Sequence, residues 1–168
     1  MVIDKLRAVL ILLYGCILVA CGNGGNGIGP NPALLYGTWA QDGLAQADPD
    51  MIVDQAVVAY RPDGTSTFTA MMTVRLPDTL PILFDIKVDV NWSLDETVVT
   101  RTLETVTVTP REPSSDMDAF ARQLEAAYRA SPPGRLIVQY ADANELVFLD
   151  PDTGALLRYL NTETVRPD

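Results

Sequence analysis

The residue types that carry covalent and metal chemistry are scarce in this chain of 168 residues. It has no histidine and two cysteines, Cys16 and Cys21. Without histidine there is no imidazole base, no serine–histidine–aspartate triad and no imidazole metal ligand. Carboxylates are plentiful. Asp85, Asp89 and Glu104 are of the type that works in pairs in glycoside hydrolysis. Each falls on the wet face of an alternating stretch, where a solvated side chain is the simpler reading. Asp150, Asp152 and Gly154 carry a fragment of a calcium-loop pattern. The distal Glu and the further oxygen ligands are missing, so a β-turn with Asp at its corner accounts for them. The sequence assigns no catalytic residue, no metal ligand and no cofactor, and the reading is of a non-enzyme.

What remains is one thiol in a particular setting. Lys5 and Arg7 precede an apolar run from Ala8 to Ile17, and Leu18-Val19-Ala20-Cys21 follows. A basic start, a short apolar middle and a small-residue end match the layout of a secretory signal. The apolar stretch is too short to span a bilayer, which takes ~20 residues. The last four residues resemble the signal of bacterial lipoproteins. That resemblance implies that residues 1–20 are removed and that Cys21 is acylated and becomes the first residue. An ordinary cleaved signal with a chance cysteine and an uncleaved anchor are the alternatives. A single acyl chain binds membranes weakly, at ~0.8 kcal/mol per buried CH₂, so stable anchoring takes two or more. The lipoprotein resemblance supplies them and makes the membrane a partner through the lipid. It also places the chain in the bacterial cell envelope. Gly22, not Asp, follows the cysteine, which by the same resemblance favours the outer membrane, facing the periplasm.

The first 20 residues contain Asp4, Lys5 and Arg7, so the remainder has 10 basic and 21 acidic residues and a net charge of −11. That balance excludes nucleic acid as a partner, because phosphate binding needs clustered cations. It suits an acidic exported surface. With Cys16 removed and Cys21 acylated, no disulfide is available, and stability must come from an ordinary core. The length suffices for one domain.

Residues 21–32 form a linker. Gly22 to Pro32 is rich in Gly and Asn without apolar periodicity, as expected of a flexible spacer. The domain spans 33–168. Strand patterns dominate it. Ile82, Phe84, Ile86, Val88, Val90, Trp92 and Leu94 alternate with mostly polar residues, and Phe68, Ala70, Met72, Val74 and Leu76 do likewise. A third stretch, Thr97 to Thr109, is rich in Val and Thr with a less clean apolar face. Turn chemistry separates the runs at Arg61-Pro62-Asp63-Gly64, Leu94-Asp95-Glu96-Thr97, Ala141-Asp142-Ala143-Asn144 and Asp150-Pro151-Asp152-Thr153-Gly154. Eight strands are expected, near 36–41, 52–61, 64–76, 82–94, 97–109, 135–141, 144–150 and 155–161. The class is mainly β: an antiparallel eight-stranded meander that closes into a barrel, so that edges are removed. One helix is inserted between the fifth and sixth strands. Ser115 is its expected cap, with Asp118 three residues on. Met117, Phe120, Ala121, Leu124, Ala127 and Tyr128 form its apolar stripe, which packs on the barrel, covers one mouth, gates a ligand or meets a partner.

The domain opens with Leu35-Tyr36-Gly37-Thr38-Trp39. Gly37 lets the chain bend into the first strand, and Trp39 is large enough to plug the narrow end of a barrel. This start, with the Pro-Asp-Gly turn and the short late strand Asn144-Glu145-Leu146-Val147-Phe148, resembles lipocalin-like domains over roughly residues 35–160. The resemblance implies a basic side chain packed across Trp39. Arg158 and Arg166 are the candidates, with Arg166 preferred because it follows the eighth strand. The helix departs from the family pattern, in which it follows the eighth strand.

An eight-stranded barrel is either filled by its own side chains or holds one small ligand. Phe68, Met72, Phe84, Ile86, Val88 and Trp92, with Met71, are the candidate lining, and thioethers make such a wall adaptable. The leading expectation is a lipid-anchored envelope protein whose barrel takes a small apolar or amphipathic ligand. The alternative is a non-catalytic accessory protein of an envelope assembly, which binds another protein through the helix or a sheet face.

Overall fold

The computed structural model describes residues 30–43, 45–48, 51–75 and 80–163. The signal (1–20), Cys21, most of the linker and Arg166 lie outside the described residues. The described chain starts at the end of the linker. Asn31 accepts a hydrogen bond from Ala33 N (3.0 Å) and caps a 3-10 turn over Pro32–Leu34. Gly37 follows at φ +129°, and the Trp39 indole nitrogen would lie 3.7 Å from a Cβ there. The residue expected to let the chain turn into the first strand therefore does so.

Nine strand segments follow. They are β1 (Gly37–Gln41), β2 (Ala45–Asp48), β3 (Met51–Tyr60), β4 (Thr65–Val74), β5 (Ile82–Asp95), β6 (Val98–Pro110), β7 (Gly134–Ala141), β8 (Glu145–Leu149) and β9 (Leu156–Asn161). All pairings are antiparallel between neighbours, and β1 pairs with both β9 and β3, which closes the sheet. Eight strands form the barrel. The ninth segment, β2, pairs with the start of β3 and so occupies the same side of β3 as β1, further along. The sequence reading lacked it; four residues of Ala, Gln, Ala and Asp give little apolar signal. Between the fifth and sixth barrel strands, β6 and β7 here, lies α1 (Ser115–Arg129). Its cap is Ser114, whose side chain accepts from Met117 N at 3.3 Å, one residue earlier than expected.

Turns hold the meander in register. Gly64 has φ +81°, and Asp63 Oδ1 accepts from Thr65 N (2.9 Å) and Thr65 Oγ1 (2.7 Å). At the β7–β8 turn, Asp142 Oδ1 accepts from Asn144 N and Glu145 N, both at 2.8 Å. Asp150, Asp152 and Gly154 do form a turn: Asp150 Oδ1 accepts from Asp152 N at 2.9 Å, and Gly154 has φ +72°.

The long β5–β6 ladder has one bulge. Asp89 pairs with Thr105 and Val90 with Leu103, leaving Glu104 over. The bulge shifts the phase of β6, so Val99, Arg101 and Leu103 share the inner face with Val106 and Val108. This slip is why the Thr97 to Thr109 pattern reads poorly as a simple alternation.

The barrel has two unlike halves. β7 joins β6 only at Val98–Arg101. In that half the strands close around Leu35, Trp39, Tyr60, Trp92, Leu136 and Phe148. Further along, from Leu103 to Pro110, no strand among the described residues pairs with β6 on that side. There α1 lies against the inner face of β4–β6, with Met72, Val74, Phe84, Ile86, Val106, Val108, Ala121 and Leu124 in a second core.

Candidate functional site

The helix-covered half is built from three strand faces and one helical stripe. Phe84 and Ile86 are 0 % and 2 % exposed, Met72 is 1 % exposed, and Ala121 and Leu124 meet them from α1. Met51, Val88, Met117, Phe120 and Tyr128 flank this core, partly buried. Phe84 and Phe120 stack tilted, with centroids 5.5 Å apart. Three methionines thus border one apolar layer, and flexible thioethers repack around shapes that branched chains do not tolerate.

The helix also covers the free edge of β6. Glu125 Oε1 accepts from Val108 N at 3.0 Å, and Arg129 Nη2 donates to Val106 O at 3.3 Å. Glu125 and Arg129 pair with each other at 3.2 Å, one helical turn apart. These side chains stand in for ladder bonds, and Pro110 offers no N–H at the strand end. Covering and interrupting an edge in this way keeps foreign strands off. Ser115 to Arg129 is thereby held by side chains alone, without a backbone ladder to the sheet.

The six expected lining residues all lie on the inner face, but they divide between the two halves. Met72, Phe84, Ile86 and Val88 belong to the helix-covered half, and Phe68 and Trp92 to the closed one. All six pack against other side chains. Trp92 donates its indole N–H to Thr65 O at 3.0 Å and meets Tyr60 edge-on at 5.1 Å. Met71, in contrast, faces outward beside Asp85, with which it pairs.

Trp39, the expected plug, lies in the core of the closed half. It is 1 % exposed and donates its indole N–H to Leu35 O at 2.8 Å. The basic partner differs from expectation. Arg158 neighbours the inward Tyr159 on β9, so it points outward, where it pairs with Glu145 (2.6 Å) and Asp42 (2.9 Å). Strand alternation rules it out as the cation across Trp39.

The three carboxylates considered for acid chemistry stand on the outer face and are tied up separately. Asp85 takes a bidentate bond from Arg111 (2.7 Å at the shortest). Glu104 accepts from Asn91. Asp89 accepts from Thr67 (2.8 Å) and Thr105 (3.0 Å) and faces Lys87 at 3.2 Å. The Thr67 hydroxyl, then Thr105 and Lys87, hold the Asp89 carboxyl below its ordinary range despite partial desolvation. A general acid needs the opposite shift.

Two surface grooves accompany these features. One, of about 430 Å³, lies on the outer face of β4–β6 beside Gln55, Thr69, Met71, Asp85, Lys87 and Arg111. Gln55 sits in a bulge of β3 at φ +51°. The other, of about 400 Å³, lies between the start of β5 and α1, beside Leu80, Ile82, Leu83, Pro113 and Met117. Neither is lined by Phe68, Met72, Phe84, Val88 or Trp92.

The sequence reading overlooked one inner-face charge, Arg101. The signal was available: a hairpin turning at Glu96 sets Leu94 opposite Val99 and Trp92 opposite Arg101. The chain matches no protein-family model and no curated protein. Among the described residues no helix is long and apolar enough to cross a membrane, and no cluster of acidic, Cys or His side chains could hold a metal ion.

Proposed function

We propose that this chain is a lipid-anchored envelope lipoprotein of lipocalin-like type, held at the outer membrane through Cys21, whose barrel binds a small amphipathic molecule without chemical turnover. One observation carries the binding half of this reading. The apolar inner face of β4–β6 is covered, beyond the closed half, by a single amphipathic helix with Met51, Met72 and Met117 around it. An apolar chain reaches Met72, Phe84, Ile86 and Val88 when α1 moves aside, while the closed half keeps its own core. Local opening of this kind is expected where an element is held by few contacts. The anchoring half is supported by Leu18-Val19-Ala20-Cys21 after its apolar run. The anchor does the holding, so the barrel needs no membrane-binding face.

Native mass spectrometry of the protein taken from its own membranes tests both halves. A chain starting at an acylated Cys21 and carrying one co-purified amphipath is the expected species. A chain that starts elsewhere, unacylated, removes the anchor, and an empty barrel at every concentration of added amphipath removes the carrier. In parallel, Cys21→Ser moves the protein from the membrane to the soluble fraction.

The outer groove favours a second reading, an accessory protein in an envelope assembly. Its support is the bulge that aims Gln55 toward Thr69, Lys87 and Arg111, a polar rim suited to a protein surface. Crosslinking in membranes separates the two: one abundant protein partner caught at Lys87 favours the accessory role.

A further inference from the structure

The outer face of β4–β6 repeats one cross-strand pattern with opposite charge. Thr67, Asp89 and Thr105 stand side by side across the three strands, and Thr69, Lys87 and Thr107 form the next row. The first row is complete in itself. Asp89 accepts from Thr67 at 2.8 Å and from Thr105 at 3.0 Å, and Lys87 Nζ lies 3.2 Å from the same carboxylate. The second row keeps the two hydroxyls and has an ammonium where the carboxylate would be. Its three side chains are exposed, and among the described residues the Thr69 and Thr107 hydroxyls make no hydrogen bond.

The groove of about 430 Å³ lies over this second row. Met71, Asp85 and Thr109 make the third row and extend its floor. Asp85 is the one carboxylate among the lining residues, and the bidentate bond from Arg111 answers it. Gln55 borders the groove from β3. It stands in the β3 bulge at φ +51°, where Asp54 Oδ1 accepts from its N–H at 2.7 Å. A side-chain-bearing residue is rare at such a φ, and a bulge re-aims a side chain out of the ladder.

We propose that this groove binds a sugar acid, with its carboxylate over the Thr69–Lys87–Thr107 row. The Asp89 row is the internal template: a carboxylate held by two threonine hydroxyls and Lys87. An external carboxylate meets the same set one row along, and charge-assisted hydrogen bonds of this kind are the strong ones. Lys87 loses little in turning toward it, because its pair with Asp89 is exposed and such pairs are weak. Thr109 and the Gln55 amide both donate and accept, which suits ring hydroxyls. The volume is too large for a lone inorganic anion and falls in the range of small-molecule sites. No aromatic ring lines the groove, so charge and hydrogen bonds, not stacking, supply the recognition. The site lies on the outer face and is independent of the carrier reading.

The test compares digalacturonate with galactobiose, disaccharides that differ in their carboxylates. Both are titrated into the full chain carrying Cys21→Ser, into the millimolar range, and followed by amide shifts in NMR spectra. Digalacturonate is expected to bind about tenfold tighter or better, the worth of one charge-assisted contact, with shifts centred on Thr69, Lys87 and Thr107. Lys87→Gln is expected to remove that advantage and Thr107→Val to reduce it. Both positions are exposed, and unchanged shifts in β8 and β9 verify that the fold is kept. No saturable binding, equal binding of the two sugars, shifts centred elsewhere, or an advantage that survives Lys87→Gln overturns the site. Glutarate, a dicarboxylate without hydroxyls, bound as tightly as digalacturonate overturns the sugar, and an acidic peptide bound more tightly overturns it in favour of a protein partner. None of these results touches the carrier.

Discussion

Leu146→Ala separates the two halves of the barrel. Leu146 is 0 % exposed in β8, faces Tyr159 and Ala141 across its two ladders, and belongs to the closed-half core. Truncation removes three carbons, about 2.4 kcal/mol at ~0.8 kcal/mol per CH₂. The residual cavity raises this to about 3 kcal/mol, within the span of Leu→Ala changes in cores. At ~1.4 kcal/mol per factor of ten, amides that exchange only by global unfolding speed up roughly a hundredfold. Those are the amides of β7–β9 and of the paired part of β1. Amides of α1 exchange by a local opening that leaves Leu146 in place, so their rates stay within about twofold of the parent. Native-state hydrogen exchange read by mass spectrometry resolves the two groups. If α1 accelerates by the same factor as β8, the protein opens as one unit. The helix is then no lid, and the reasoning is refuted.

Three further outcomes follow from particular contacts. Gly37→Ala places a side chain at φ +129° and against the Trp39 indole, at a cost of about 1–3 kcal/mol, seen as a lower thermal midpoint; an unchanged midpoint contradicts this role. Glu125→Ala uncaps Val108 N and frees Arg129, so α1 exchanges faster, by roughly tenfold, with β8 unaffected. For Tyr159, burial pushes the folded phenol up to about 12 from its ordinary value of 10.0, which the unfolded chain keeps. A raised folded value means that its contribution is whole below pH 10 and is lost as pH rises toward 12, an effect of about 3 kcal/mol. Urea unfolding between those pH values reads it, and Tyr159→Phe abolishes that part of the slope.

Much of the barrel was legible because a half-buried strand repeats every two residues. Phe68, Ala70, Met72 and Val74, and Phe84, Ile86, Val88 and Trp92, do share the inner face. The register of the β5–β6 hairpin was less legible because one bulged residue, Glu104, changes the parity of everything beyond it. Arg101 hid in that stretch. The helix stripe predicted burial of Ala121 and Leu124, which occurs. Its position over an unclosed half was not predictable from the stripe, since it depends on how short β7, β8 and β9 are beside β5 and β6. Arg158 shows how a resemblance misleads when parity is ignored: Tyr159 faces inward, so its neighbour cannot reach Trp39.

The account's central claim is that an amphipathic ligand takes its place beneath α1. Hydrogen exchange of the Cys21→Ser chain with and without saturating dodecanoate tests it most directly. The claim predicts altered protection in α1 and in the Met72, Phe84 and Ile86 segments of β4 and β5, with β8 and β9 unchanged. Saturating dodecanoate that leaves α1 unchanged, or that shifts every strand alike, contradicts it.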